Sequence, residues 1–154
     1  MVNWLLNENE PEDFTPLENV IKASLPSDYK SFFHKYIGFY EEYEVYYPLD
    51  GYRYQVQNFY DTQEIIEVFE EVNSELEKHQ RQQAIFVPFG ENSALDRYQF
   101  YYDKVKGKEP VVVFTDRIDA FNFLHDDGSL NQDFVTILAP TFTQFVQRFK
   151  VETE

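Results

Sequence analysis

The stretch from Leu25 to Gly38 constrains the fold of this chain more than any other. Pro26 holds φ near the helical value and lacks the N–H that a first turn leaves unpaired, so it suits the start of a helix. Ser27 and Asp28 follow, where a hydroxyl or a carboxylate engages free N–H groups at the positive end of the helix dipole. Tyr29, Phe32, Phe33 and Tyr36 then recur at i, i+3, i+4 and i+7, one apolar stripe of an amphipathic helix. Gly38 reads as the left-handed residue that closes it. Large aromatics in such a row are core residues, and these four are assigned to the core rather than to a ligand site.

The remaining segments read as further helices and an antiparallel sheet. Residues 7–13 are polar and irregular, and Thr15-Pro16-Leu17-Glu18 has the pattern of a capping box with proline at the first helical position. Leu17, Val20 and Ile21 would form the buried face of that short helix. Tyr43 to Leu49 and Tyr52 to Tyr60 read as two strands joined through Asp50-Gly51, a strong hairpin signal. In the second, Tyr52, Tyr54 and Val56 alternate with Arg53, Gln55 and Gln57, as expected when one face is wet. Asp61-Thr62-Gln63-Glu64 opens a third helix, with Ile65, Ile66, Phe69, Val72 and Leu76 at helical spacing to about Lys78.

Three strands are expected next, at Ala84 to Phe89, Arg97 to Asp103 and Val111 to Thr115, with a loop from Gly90 to Asp96 and a turn at Lys106-Gly107-Lys108. Between Ile118 and Ile137 the pattern is weakest; a strand at Ala120–Leu124 and a turn at Asp126-Asp127-Gly128 are expected. Pro140 opens a last helix carrying Phe142, Phe145, Val146 and Phe149. The fold class is α+β, a largely antiparallel sheet of five to six strands with helices packed around it, in a single domain over residues 1–154.

Charge and composition exclude several functions. The chain carries 28 acidic against 13 basic residues, a formal charge of −15. Such a surface repels nucleic acid and anionic membranes and attracts basic partners, so direct nucleic-acid or membrane binding is not expected. There is no cysteine, hence no disulfide, no thiolate nucleophile and no cysteine-based zinc site, which fits a reducing cytoplasm. No apolar run approaches the roughly 20 residues needed to span a bilayer. Met1 to Leu6 lacks a basic leader and breaks into Asn7-Glu8-Asn9-Glu10, so no secretory signal is expected. With 16 Phe and 12 Tyr the chain holds ample material for a core.

Catalytic constellations are weak. His34, His79 and His125 each lack a second histidine or cysteine at ligand spacing. His125-Asp126-Asp127 reads as a solvated turn before Gly128, and residues 126–133 lack the ordered acidic positions and final glutamate of a calcium loop. Asp116 and Asp119 form an acidic pair, but pairs are common among 28 carboxylates. No phosphate-binding glycine loop or nucleophile elbow occurs. No catalytic residue, cofactor or metal is assigned.

The third helix is the more informative charge feature. Glu64, Glu67, Glu71 and Glu75 follow steps of three and four, placed opposite Ile65, Phe69, Val72 and Leu76. Like charges four apart cost about 0.2–0.5 kcal/mol per pair, a repulsion that a basic partner would relieve. With Glu41, Glu42 and Glu44, Asp103 and Asp116, these glutamates form the candidate partner-binding set.

Three features carry a family resemblance: the Leu25-Pro26…Asp28-Tyr29-Lys30 helix running to Gly38; the pair Ile85-Phe86-Val87-Pro88-Phe89 and Tyr98-Gln99-Phe100-Tyr101-Tyr102-Asp103; and Pro110-Val111-Val112-Val113-Phe114, followed by Ala139-Pro140-Thr141-Phe142-Thr143-Gln144-Phe145-Val146. In this order, over residues 16–150, the chain resembles the SUKH superfamily (the Smi/Knr-type domain). It departs from the family pattern at Glu91-Asn92-Ser93-Ala94-Leu95, where a glycine-rich turn is common, and at Phe39-Tyr40 after Gly38. The resemblance implies an α+β fold and, as in bacterial members, a non-enzymatic immunity protein that binds and neutralises a cognate polymorphic toxin, frequently a nuclease. The partner would be a basic toxin domain. The alternative is a regulatory or scaffold module of the same fold, the role of fungal relatives in signalling and cell-wall regulation.

Overall fold

The computed structural model describes residues 1–152. Its clearest match to the sequence is the hairpin of β3 (Val45–Leu49) and β4 (Tyr52–Val56). Leu49 pairs with Tyr52 across a two-residue turn in which Asp50 and Gly51 both take positive φ, 50° and 78°. That geometry matches the twist of the flanking strands and favours Asp-Gly. The long helix also starts as its residues dictate. In α3 (Thr62–Lys78) the Asp61 side chain accepts from Glu64 N–H while Glu64 accepts from Asp61 N–H, a complete capping box.

The central sheet is antiparallel, in the order β5 (Asn58–Phe59), β6 (Ala84–Glu91), β7 (Arg97–Asp103), β8 (Val111–Thr115) and β9 (Val135–Ala139). Alternation along its strands divides the core into two layers. On one face Ala84, Phe86, Val113 and Val135 pack against Val72 and Leu76 of α3 and against a 3₁₀ turn, Ala120–Phe123. On the other, Val87, Phe89, Tyr98, Phe100, Val112 and Phe114 meet α2 (Ser27–Lys35) and α4 (Phe142–Gln147). Tyr29 lies edge-on to Phe100 and Phe142, with centroids 5.3 and 5.2 Å away, and Phe89 stacks on Phe100 at 4.5 Å. These are the favoured arrangements of aromatic pairs.

The tyrosines have a second use. Tyr47 Oη donates to Leu138 O at 2.6 Å, Tyr98 Oη to Gln55 O at 2.6 Å and Tyr102 Oη to Ser24 O at 2.8 Å. Each ring fills the core and its hydroxyl ties two distant segments, as a buried phenol must find an acceptor. The Tyr98 bond joins the central sheet to a three-stranded one, ordered β10 (Lys150–Val151), β3, β4. A third, two-stranded sheet pairs β1 (Trp4–Leu6) with β2 (Tyr36–Phe39).

Several sequence expectations are corrected. The helix from Pro26 ends at Lys35, and Tyr36 to Phe39 turn into a strand because β1 returns from the N-terminus to pair with them. Gly38 therefore closes no helix; it lies in β2 opposite Leu5 with φ 151°. Tyr29 is fully buried, whereas Phe32, Phe33 and Tyr36 are half-buried. The box expected at Thr15 does not form: Phe14 is the N-cap of α1 (Thr15–Ile21), and Glu18 instead accepts from Leu25 N–H at 2.7 Å and pairs with Lys30. Val20 is 37% exposed, leaving Leu17 and Ile21 as the buried face.

Tyr52 to Tyr60 is two strands in two different sheets, since the chain passes from β4 to β5 at Gln57. The loop expected from Gly90 begins two residues later, because a bulge between Pro88 and Gly90 carries β6 on to Glu91. Ala120–Leu124 forms a 3₁₀ turn plus a single bridge from Leu124 to Leu130, not a strand, and Val135–Ala139 is a strand the sequence reading did not place. The central sheet has five strands, within the about five to six expected, and the described residues add a three-stranded and a two-stranded sheet, ten strands in all.

Candidate functional site

The acidic helix face is built by α3. At about 100° per residue, Glu67 lies nearly opposite the buried stripe, Glu64 and Glu71 about a third of a turn from its centre, and Glu75 about a quarter of a turn. This is why Glu75 is half-buried while the other three are exposed. The four are also unequal in their partners. Glu64 is used by the capping box, Glu67 accepts from Gln63 Nε2 at 3.1 Å, and Glu71 lies 3.6 Å from Arg97 Nη2.

Arg97 extends this face onto the sheet. It pairs across strands with Glu91 and with Thr115, next to Asp96 and Asp116. Asp96 accepts from Arg117 N–H at 2.8 Å, and Asp116 N–H donates to Phe134 O. Partial desolvation, then the neighbouring Asp96 carboxylate, hold the Asp116 carboxyl above its ordinary range. Glu71 and Asp116, unrelated in sequence, thus reach one end of the sheet through Arg97 and Asp96. Neither bridging residue was in the sequence-derived set, and no local pattern marks them.

Glu41, Glu42 and Glu44 lie in the exposed loop between β2 and β3, beside Tyr40 and Tyr43. They border a groove with Phe39, Gln55 and Gln57. Gln57 N–H donates to Glu91 O at 2.8 Å, which brings this loop near the acidic end of the central sheet. Asp103 is placed otherwise. Its carboxylate accepts from Val105 and Lys106 N–H, both at 3.0 Å, and it borders a groove of about 540 Å³ together with Lys22, Lys104 and Lys108 and with Glu77 and Glu109. A carboxylate tied into a turn, where lysines and carboxylates balance, attracts a basic surface weakly.

Chemistry elsewhere is structural. Asp126 pairs with Arg81 at 2.5 Å, Asp127 accepts from Ser129 N–H and Oγ–H, and His79 stacks on Phe121 at 4.0 Å. The two hydrogen bonds from Ser129 hold the Asp127 carboxyl below its ordinary range. Among the described residues no group of three or more His, Asp or Glu gathers as a metal site, and no helix is long and apolar enough to cross a membrane. Only four ion pairs form there, so most of the carboxylates remain unneutralised.

A model of the SMI1 / KNR4 family (SUKH-1) matches residues 9–148, nearly the whole chain. The chain belongs to the SUKH family. The match spans α1 to α4, so every element of the central sheet and its two covering layers falls inside the SUKH region. Residues 1–8, which include β1, and residues 149–154, which include β10, lie outside. No curated protein and no solved structure matches the chain.

Proposed function

We propose that this SUKH protein is a non-enzymatic immunity protein that binds a cognate toxin domain in the cytoplasm and neutralises it by covering its basic surface. Membership of the family carries this reading. The charge supports it. A net −15 with few internal ion pairs leaves carboxylates free to meet cations on a partner, and such a field speeds encounter with a basic surface. A nuclease toxin fits best, because its phosphate-binding surface must itself be basic. The interface would use the end of the molecule where Glu71, Glu91, Asp96 and Asp116 meet, with the loop of Glu41, Glu42 and Glu44.

The test is co-expression with a toxin domain found encoded beside this gene. Growth should be restored, and the two chains should co-purify as a complex that salt weakens. If the toxin domain keeps its toxicity and does not co-purify, the reading is wrong.

A further inference from the structure

The β1–β2 ribbon leaves apolar side chains in solvent. Leu6, Ile37, Tyr40 and Tyr43 are 61, 57, 57 and 47% exposed, although their neighbours Trp4 and Phe39 face the aromatic core. Beside this ribbon lies an open hollow of about 520 Å³ whose walls include Val2, Trp4, Leu6, Tyr36 and Tyr40, with Glu42 among them. Trp4 is held firmly. It stacks near Phe149 and meets Phe32 edge-on, with centroids 6.0 and 4.9 Å away.

Three aromatic rings and one carboxylate around an open hollow suit a cationic side chain. Ring faces attract a cation, and a carboxylate at the rim supplies the countercharge. One face of the Tyr36 ring is already covered by the Lys35 ammonium, 5.1 Å from its centroid, which leaves Tyr40 and Trp4 as the main rings for a partner's cation. Glu41 and Glu44 in the same loop add to the local negative field. We infer that this hollow is the anchor for an arginine side chain projecting from a basic protein partner, with the planar guanidinium against the rings and paired with Glu42. Arginine fits better than lysine because it stacks on aromatic faces and forms two parallel bonds to a carboxylate. This inference rests on the reading of the chain as a binder of a basic protein, and it names the surface and the side chain involved.

Trp4 is the only tryptophan, so its fluorescence reports on the hollow without labelling. The probe is a nona-arginine peptide, with nona-lysine for comparison. Nona-arginine should change Trp4 emission saturably and bind more tightly than nona-lysine. Tyr40→Ala and Glu42→Gln, both at exposed positions, should each weaken it about two- to fivefold. The double variant Glu67→Gln/Glu71→Gln removes more charge yet should weaken it less. No saturable change, or weakening that follows net charge alone, overturns the inference. The same variants in the toxin co-expression assay separate the two claims. A toxin still bound and neutralised by Tyr40→Ala and Glu42→Gln at unchanged affinity places the hollow outside the interface and overturns this inference only. A wild-type chain that binds nona-arginine as described but protects against no toxin leaves the hollow standing and refutes the immunity reading.

Discussion

Asn73 should be the side chain on which the placement of the acidic helix depends. Its Nδ2 donates to Phe86 O at 2.8 Å and to Phe69 O at 2.9 Å, and its Oδ1 accepts from Phe86 N–H at 3.2 Å. Beyond the short β5 pairing at Gly90 and Glu91, this outer edge of β6 has no neighbouring strand among the described residues, and the Asn73 amide does the work of one at Phe86. Asn73→Ala leaves a backbone donor and an acceptor of the fully buried Phe86 without partners, at about 1–3 kcal/mol each. Improved helix propensity returns about 0.5 kcal/mol. Asn73 also borders the 540 Å³ groove, so water can reach the vacated space and the cost falls toward the lower end.

The expected net loss is about 2 kcal/mol, or a Tm lower by about 4–8 °C for a chain of this size. Urea unfolding measures the free energy, and hydrogen exchange at the Phe86 amide measures the local effect. Asn73→Asp should cost at least as much near neutral pH, since its carboxylate would face two carbonyl oxygens. A loss below about 0.5 kcal/mol, or unchanged protection of the Phe86 amide, would refute the account of Asn73 as a substitute strand.

Three further outcomes follow from the acidic groups. Charge reversal at Glu67, Glu71 and Glu75 should weaken partner binding with a steep salt dependence, most of it from Glu67 because Arg97 already shares Glu71 and Glu75 is half-buried; calorimetry at two salt concentrations checks this. Asp61→Ala removes the capping box of α3 and should cost about 1 kcal/mol in urea unfolding. The Asp116 carboxyl is raised in the folded state, so the folded protein holds that proton more tightly than the unfolded chain and its charged form disfavours folding. Asp116→Asn should therefore raise Tm at neutral pH, and the gain should disappear as pH falls through the raised value toward 3.8.

The legible parts of this fold are those decided by neighbours in the chain. The Asp61 capping box, the Asp50-Gly51 turn and the meander from Ala84 to Thr115 need only local hydrogen bonds and alternation, and each formed there, with β6 two residues longer than expected. The errors fall where a distant segment competes. Tyr36 continues the helical stripe of Tyr29, Phe32 and Phe33, yet pairing with Leu6 takes it into a strand. Glu18 fits a capping box, yet the Leu25 N–H and Lys30 outbid it.

The site divides in the same way. Sequence alone determined that the surface is acidic, that α3 carries a row of glutamates, and that the scaffold is SUKH-like, since charge, helical spacing and motif order are properties of the chain. Tertiary structure decided which carboxylates lie together. It brought Glu71 and Asp116 to one end through Arg97 and Asp96, tied Asp103 into a turn beside a groove of mixed charge, and opened the Trp4–Tyr40 hollow beside Glu42. Charge-to-charge distance and ring exposure depend on how layers pack, and no spacing along the chain encodes them.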